Sequence, residues 1–322
     1  MPSPLRTAVI GVGHFGRFHA EKYARSPLAT LVAIVDRDLP RARDAASRFR
    51  AEALDDYRTL FGRVDAVSIA VPTSAHFEVA KACLEHGIHV LIEKPITETL
   101  EQADELIGLA DAKGLVLQVG HLQRFFLERI AIDRFVDKPL YIEATRIAPF
   151  KPRGTDVGVT LDLMIHDIDL ILALVKADVV SVDAVGAPIV SSEEDIANTR
   201  LRFANGCVAT VTASRVSLKT ERKMRIFQRE SYISIDLHNR KLVAMRKGTG
   251  RSWFPGLPPI DRQELSFSEG DDLEAEIQSF LEACAGKHAP LVTGRDGRRA
   301  LETAMRITRS LRESLVAAGL AS

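Results

Sequence analysis

The chain has 322 residues, 46% of them hydrophobic, and its 43 Lys and Arg balance 43 Asp and Glu. That length and apolar content point to two domains with real cores, and zero net charge removes the footprint of nucleic-acid binding. No apolar run nears the ~20 residues of a membrane span. The opening MPSPLRTAVIGVG lacks signal-peptide regions, and Cys83, Cys207 and Cys284 fit neither a disulfide frame nor a metal site, so a cytoplasmic, metal-free protein is expected.

In chain order, a short apolar strand from Thr7 to Val12 runs into G-x-G-x-x-G at Gly11, Gly13 and Gly16 and then into a helix-like segment. The motif requires that context. Gly11 permits a tight turn, Gly13 lets backbone approach a pyrophosphate, and Gly16 allows close helix–strand packing. The helix N-terminus, entered through His14 and Phe15, offers free N–H groups and a positive dipole end to phosphates. A second strand, LVAIVDRD, ends in Asp36, placed to accept from a ribose diol and to repel a 2′-phosphate. NAD is the expected cofactor. Arg37 leaves NADP open, because it could stack on adenine or pair a 2′-phosphate.

Alternation continues with a strand from Asp65 to Val71, a helix ending at Gly87, the strand HVLIE, a helix ending at Gly114, and the strand LVLQVGH. Strands alternating with helices predict a parallel, doubly wound sheet, whose ligands bind at the carboxyl ends of its strands. Three strand ends therefore draw attention: Val71, Pro72, Thr73 and His76; Glu93, Lys94 and Pro95; and Gly120 through Arg124 to Phe125. His76 and Lys94 could each instead be ordinary surface residues.

The predicted division is a Rossmann domain over 1–123 and an α+β domain over 124–322 with an open, mostly antiparallel sheet. Its strands begin with LYIEATRIAPF and include a hairpin turned by Asn205-Gly206. RSWFPGLPPID reads as a loop, and two helices over 271–285 and 295–318 close the chain. Within this half, Thr160 to Leu174 reads as a nearly all-apolar helix on which Asp162, His166, Asp169 and Ala173 share one line. Buried charge is costly unless paired or used. Asp169 is expected to support the structure, and Asp167, off the line, to make a local or interdomain bond.

Taken together, GVGHFG, DAVSIAVPTSAHFEVAKACLEHGIHVLIEKP, GHLQRF and DLMIHDIDL resemble the Gfo/Idh/MocA family of NAD(P)-dependent oxidoreductases. The resemblance implies a catalytic group of Lys94, Asp162 and His166. His166 suits a general base because imidazole titrates near working pH. Lys94 would offset developing alkoxide charge, and Asp162 would hold the relay geometry. The family implies a sugar-type substrate. RIAPFKPRGTDVGVTLDLMIHDIDL is similar to a subgroup that oxidises the 3-hydroxyl of UDP-N-acetylglucosamine. Arg146, Lys151 and Arg153, with Arg124, would then meet substrate, since guanidinium forks match phosphate oxygens; a solvated basic loop is the plain alternative. A free-sugar or inositol dehydrogenase, a redox-neutral NAD-dependent glycosidase and a non-catalytic NAD(P)-binding regulator are competing functions. A homodimer or homotetramer through the C-terminal sheet is expected.

Overall fold

The computed structural model describes residues 3–151, 157–248, 252, 255–256, 258–267 and 270–319. It divides into two compact units, Met1–Phe126 with Asp271–Arg298, and Leu127–Gly270 with Arg299–Ser322.

The first unit is a six-stranded parallel sheet in the order β3-β2-β1-β4-β5-β6. Its strands are β1 (Leu5–Ile10), β2 (Ala29–Val35), β3 (Glu52–Leu54), β4 (Ala66–Ile69), β5 (His89–Glu93) and β6 (Leu117–Gly120). The helices between them are α1 (Gly16–Arg25), α2 (Leu39–Ser47), α3 (His76–Glu85) and α4 (Leu100–Lys113). Every residue of β4 and β6 is buried, which explains why these strands read as unbroken apolar runs. Strand order reverses direction at β1, the topological switch point where such sheets bind ligands. Helix α4 starts in a capping box, Thr99 with Gln102, and ends at Gly114 with φ +64°, the left-handed cap that glycine adopts without strain.

The predicted division treats each domain as one continuous stretch, whereas residues 271–298 cluster with the N-terminal segment. The physical reason is α7 (Asp272–Cys284), whose apolar stripe of Ile277, Phe280 and Leu281 completes a core with Val9, Ala20, Tyr23, Leu31 and Leu91. Those partner side chains lie more than 180 positions before α7 in sequence, so no local pattern announces the pairing.

The second unit follows α5 (Gln123–Arg129), whose first residues close the first unit. Its eight-stranded sheet runs β14-β13-β12-β11-β7-β10-β9-β8. The strands are β7 (Tyr141–Ile147), β8 (Val179–Ala187), β9 (Ile196–Phe203), β10 (Val208–Ser214), β11 (Glu221–Phe227), β12 (Ser231–Asp236), β13 (Lys241–Lys247) and β14 (Ile260–Ser266). Only β7 and β10 pair in parallel. Burial alternates strictly along β7 and β9, as expected of a sheet with one covered face. The β9–β10 hairpin turns at Gly206, φ +88°. Helix α6 (Ile165–Val175) belongs to this unit, and α8 (Gly294–Ala317) counts with it from Arg299 onward. There Ser310 Oγ accepts from Ala184 N at 3.0 Å and Ser314 Oγ donates to Ala184 O at 2.8 Å, fixing α8 along β8.

Among the described residues no helix is long and apolar enough to cross a membrane.

Candidate active site

The glycine motif sits between β1 and α1. Gly11 adopts φ +87°, and a Cβ there would lie 2.6 Å from the Ala70 carbonyl oxygen. At Gly16 a Cβ would collide with the Gly11 carbonyl oxygen, so this glycine lets α1 seat against the loop. At Gly13 a Cβ would meet nothing within 4 Å. The protein leaves the space over Gly13 open, which fits close approach of a pyrophosphate and needs no packing explanation. No side chain caps the start of α1, so its first amides are available to an anion. A cavity of about 460 Å³ opens beside the loop, lined by Val12, Gly13, His14, Arg17 and Arg41 among others. His14 packs edge-on against Phe15 and Phe18, with ring centroids 5.3 and 5.5 Å apart.

Asp36 follows β2 directly. Its Oδ2 accepts from the Val12 amide at 2.9 Å and its Oδ1 from the Asp38 amide at 2.9 Å. The acid therefore braces the glycine loop. Arg41, 3.6 Å from Asp36 Oδ1, is the cation beside it, while Arg37 points into solvent. Sequence reasoning missed Arg41; its signal is its place in the first turn of α2, three residues after the Asp38 cap that accepts from its amide at 3.2 Å.

Val71, Pro72 and Thr73 follow β4, the neighbour of β1, and Glu93 and Lys94 end and follow β5, the next strand along. The carboxyl ends of β2, β1, β4 and β5 thus bring the expected cofactor residues into one row. His76 has a different place from the ligand-facing one expected. It is 1% exposed, with Nδ1 2.8 Å from the Pro95 carbonyl and Nε2 3.0 Å from the Val71 carbonyl. It ties the loop after β4 to the loop after β5, and burial holds its pKa below the usual value. Lys94 precedes Pro95 across a cis peptide bond.

In the second unit the helix carrying Asp162 and His166 departs from the regular helix that the sequence predicts. Thr160–Met164 form a π-turn, and α6 proper begins at Ile165. The wider i→i+5 turn displaces Asp162 from the line set by a regular helix, and such turns occur often at functional sites. Its start is anchored from a neighbouring loop: Val159 N donates to Glu194 O at 3.0 Å and Thr160 N to Glu194 Oε1 at 3.4 Å. Asp162 and His166 are partly exposed, whereas Met164, Ile165 and the run from Asp167 to Leu172 are buried. Asp169 is 2% exposed and Asp167 1%.

Three basic residues differ from their expected substrate role or lie beyond description. Arg146 is 3% exposed and grips Asp167 as a fork, Nε to Oδ2 at 2.7 Å and Nη2 to Oδ1 at 2.8 Å. Its charge is spent inside the protein, fastening α6 to β7. Arg124 belongs to the first unit, 3.4 Å from Asp296 Oδ1. Arg153 lies outside the described residues. Lys151 is exposed. Arg222, which pairs with Arg146 across β7 and β11 and so shares its sheet face, is a cation that sequence reasoning missed. Strand periodicity could have found it, since Arg146 and Arg222 sit opposite each other.

Comparison with known proteins gives the family and the fold. The oxidoreductase family profile described as GFO/IDH/MocA, NAD-binding Rossmann fold, matches residues 5–121, and the GFO/IDH/MocA C-terminal domain profile matches 138–234. UDP-N-acetylglucosamine 3-dehydrogenase of Acidithiobacillus ferrooxidans is 42% identical over 308 residues, 94% of this chain and 96% of that protein. A solved structure of that enzyme superposes with a TM-score of 0.89, covering 95% of this chain and 97% of that one. The NAD(+)-dependent scyllo-inositol 2-dehydrogenase of Bacillus subtilis is 29% identical over 335 residues, 98% of this chain and 96% of that protein.

Proposed function

The chain belongs to the Gfo/Idh/MocA oxidoreductase family, with an NAD-binding Rossmann domain, and from that premise we propose that it oxidises the 3-hydroxyl of UDP-N-acetylglucosamine. The observation that carries the choice of substrate is the 42% identity, over nearly the full length of both chains, to an enzyme named for that reaction. The inositol dehydrogenases are more distant, at 29% for the Bacillus subtilis protein, and stand as the second reading.

We assign Lys94, Asp162 and His166 as the catalytic residues. Bound NAD supplies the hydride acceptor, held by the Gly11–Gly16 loop, Asp36, the Val71–Thr73 segment and Glu93. His166 takes the hydroxyl proton, and its partial exposure on a largely buried helix fits a group that must meet substrate. Lys94 donates to the same oxygen and stabilises the charge that develops there. Asp162 orients the imidazole or the lysine. The diphosphate of the substrate falls to exposed cations such as Lys151 and Arg222 rather than to the internally paired Arg146. Arg153 belongs to the same proposed set.

We further assign a cytoplasmic location and a homo-oligomer formed through the C-terminal sheet. The open face of that sheet carries an aromatic row, Tyr141, Phe227 and Tyr232, with successive ring centroids 5.6 and 5.1 Å apart. Solution scattering that returns a monomer would remove the oligomer.

The test is a nicotinamide-absorbance assay of purified protein with NAD and NADP against UDP-N-acetylglucosamine, free sugars and inositols. Reduction of NAD by UDP-N-acetylglucosamine alone supports the proposal. Reduction by inositol alone selects the second reading. Cofactor binding with no turnover on any substrate points to a regulator, and tightly retained NAD with substrate cleavage but no net reduction points to the redox-neutral glycosidase.

A further inference from the structure

Beneath the Lys94 loop, wholly inside the first unit, lies a buried polar cluster that shares only Glu93 with the cofactor residues proposed above. Tyr23 OH is 2.7 Å from Ser68 Oγ, Ser68 Oγ is 3.0 Å from His19 Nδ1, and His19 Nε2 is 3.1 Å from Glu93 Oε1. Protons can be assigned along this chain in one direction. The tyrosine donates to the serine, the serine to a neutral imidazole, and the imidazole to the Glu93 carboxylate, which satisfies each group. Glu276, on α7, is left over. It is 1% exposed, neither of its carboxylate oxygens has a hydrogen-bond partner, and a ring nitrogen of His19 and one carboxylate oxygen each of Glu93 and Glu276 all lie within 4.8 Å of one another. Gln118 Nε2 donates to the Glu276 backbone carbonyl at 3.2 Å, yet Gln118 Oε1 is also buried without a partner. The cluster therefore holds more acceptors than donors, and one further proton corrects that excess.

We propose that Glu93 and Glu276 hold one proton between them at neutral pH, so that the interior behind the Lys94 loop carries one negative charge instead of two. Two ionised carboxylates this close in a buried site repel each other and lack the donors that would stabilise both. The groups facing the pair support the same distribution. Burial pushes the Glu276 carboxyl well above the usual range, and the neighbouring Glu93 charge adds to it. Burial pushes Glu93 upward as well, but the hydrogen bond from His19 and the Lys94 charge outweigh it and hold Glu93 below the usual range. Tyr23 and Cys284, the other titratable neighbours, are both raised, chiefly by burial, and stay neutral. Glu276 is thus a positioning residue. By keeping its proton it leaves Glu93 a single charge fixed by His19, adjacent in sequence to Lys94. This last step rests on the catalytic role assigned to Lys94 above; the shared proton does not.

The sign of the linkage gives the test. A carboxyl whose folded-state pKa is raised weakens folding as pH rises from its unfolded value near ~4.3, by up to about tenfold in the folding equilibrium per pH unit, until the folded group itself ionises. Glu276→Gln mimics the neutral acid and removes this dependence. The expected result is a melting temperature equal to wild type near pH 4 and increasingly higher toward pH 8, with wild-type turnover at neutral pH and a weaker alkaline decline. A variant that is less stable by the same amount at every pH overturns the proposal. Should the variant not fold, the side-chain carboxyl carbon of 13C-Glu-labelled wild type is followed by NMR instead. One carboxyl still neutral at pH 7 supports the shared proton, and complete ionisation of all of them contradicts it. One equivalent of divalent metal in the purified protein, by elemental analysis, also contradicts it, because a cation would then relieve the acceptor excess. The melts, the NMR titration and the metal analysis need no turnover, so failure here is distinguishable from failure of the substrate assignment.

Discussion

Asp36 Oδ2 accepts a hydrogen bond from the backbone amide of Val12 at 2.9 Å. The acid at the end of β2 therefore shapes the glycine loop at the end of β1, and the cofactor role proposed for Asp36 would place selectivity and loop order in one carboxylate. Asp36→Ala removes the acceptor for Val12 and Asp38 together. NAD affinity should fall at least about tenfold, roughly 1.4 kcal/mol, with a smaller loss for NADP. Fluorescence titration of the variant with both cofactors checks this. Equal losses for both would mean that Asp36 only braces the loop.

Gly13 and Gly16 should separate binding from folding. Gly13→Ala places its methyl in space the protein leaves open, so melting is expected to match wild type while NAD affinity drops. Gly16→Ala drives a methyl into the Gly11 carbonyl, and overpacking of that kind costs about 1–3 kcal/mol. Thermal melts with and without NAD distinguish the two.

The Arg146–Asp167 pair is 3% and 1% exposed. Removing one partner of a buried pair strands the other charge, at a cost of about 3–5 kcal/mol. Arg146→Met should therefore lower stability sharply, and adding Asp167→Leu should restore most of it. If Arg146 served substrate instead, the double variant would fold well but show a strongly raised KM.

Most of the first unit is legible from residues alone, because its signals are local. Gly11, Gly13 and Gly16 between strand and helix, Asp36 at a strand end, and Gly114 after an amphipathic run each announce their own geometry. The parallel six-stranded sheet and the mostly antiparallel second sheet both follow from such signals. What stays hidden depends on distant partners. Strand β14 is exposed at almost every position, so it has no alternation to read; it forms because β13 offers an unpaired edge. The placement of α7 depends on Tyr23 and Leu91, and the fate of Arg146 on Asp167. The π-turn at Thr160–Met164 comes with an anchor supplied by Glu194, more than thirty positions downstream. In the candidate site, residue types at strand ends are readable, whereas whether a cation is free or internally paired is not.

Asp195, the residue after that anchor, has a pH signature of its own, because it accepts from the amides of Ile189, Val190 and Ser191 at 2.8, 2.6 and 2.9 Å. Burial pushes the Asp195 carboxyl upward, but the amides of Val190, Ser191 and Ile189 and the Ser191 hydroxyl outweigh it and bring it from 3.8 to about 2. A depressed folded-state pKa contributes stability that is complete above the unfolded value and is lost as pH falls through the folded one. About 2 kcal/mol should therefore disappear between roughly pH 4 and pH 2. Asp195→Asn should lack this acid limb in denaturant melts across that range. An unchanged limb would assign the loss to other carboxylates.

Hydride transfer from C3 of the sugar is tested most directly with UDP-N-acetylglucosamine carrying deuterium at that carbon. Incubation with NAD and wild-type protein should move the deuterium into the reduced nicotinamide, detected by mass spectrometry, and His166→Ala should lower the rate by about 10²–10⁴-fold while leaving NAD binding intact. Reduced cofactor without deuterium, or transfer undiminished in His166→Ala, would contradict the proposed chemistry.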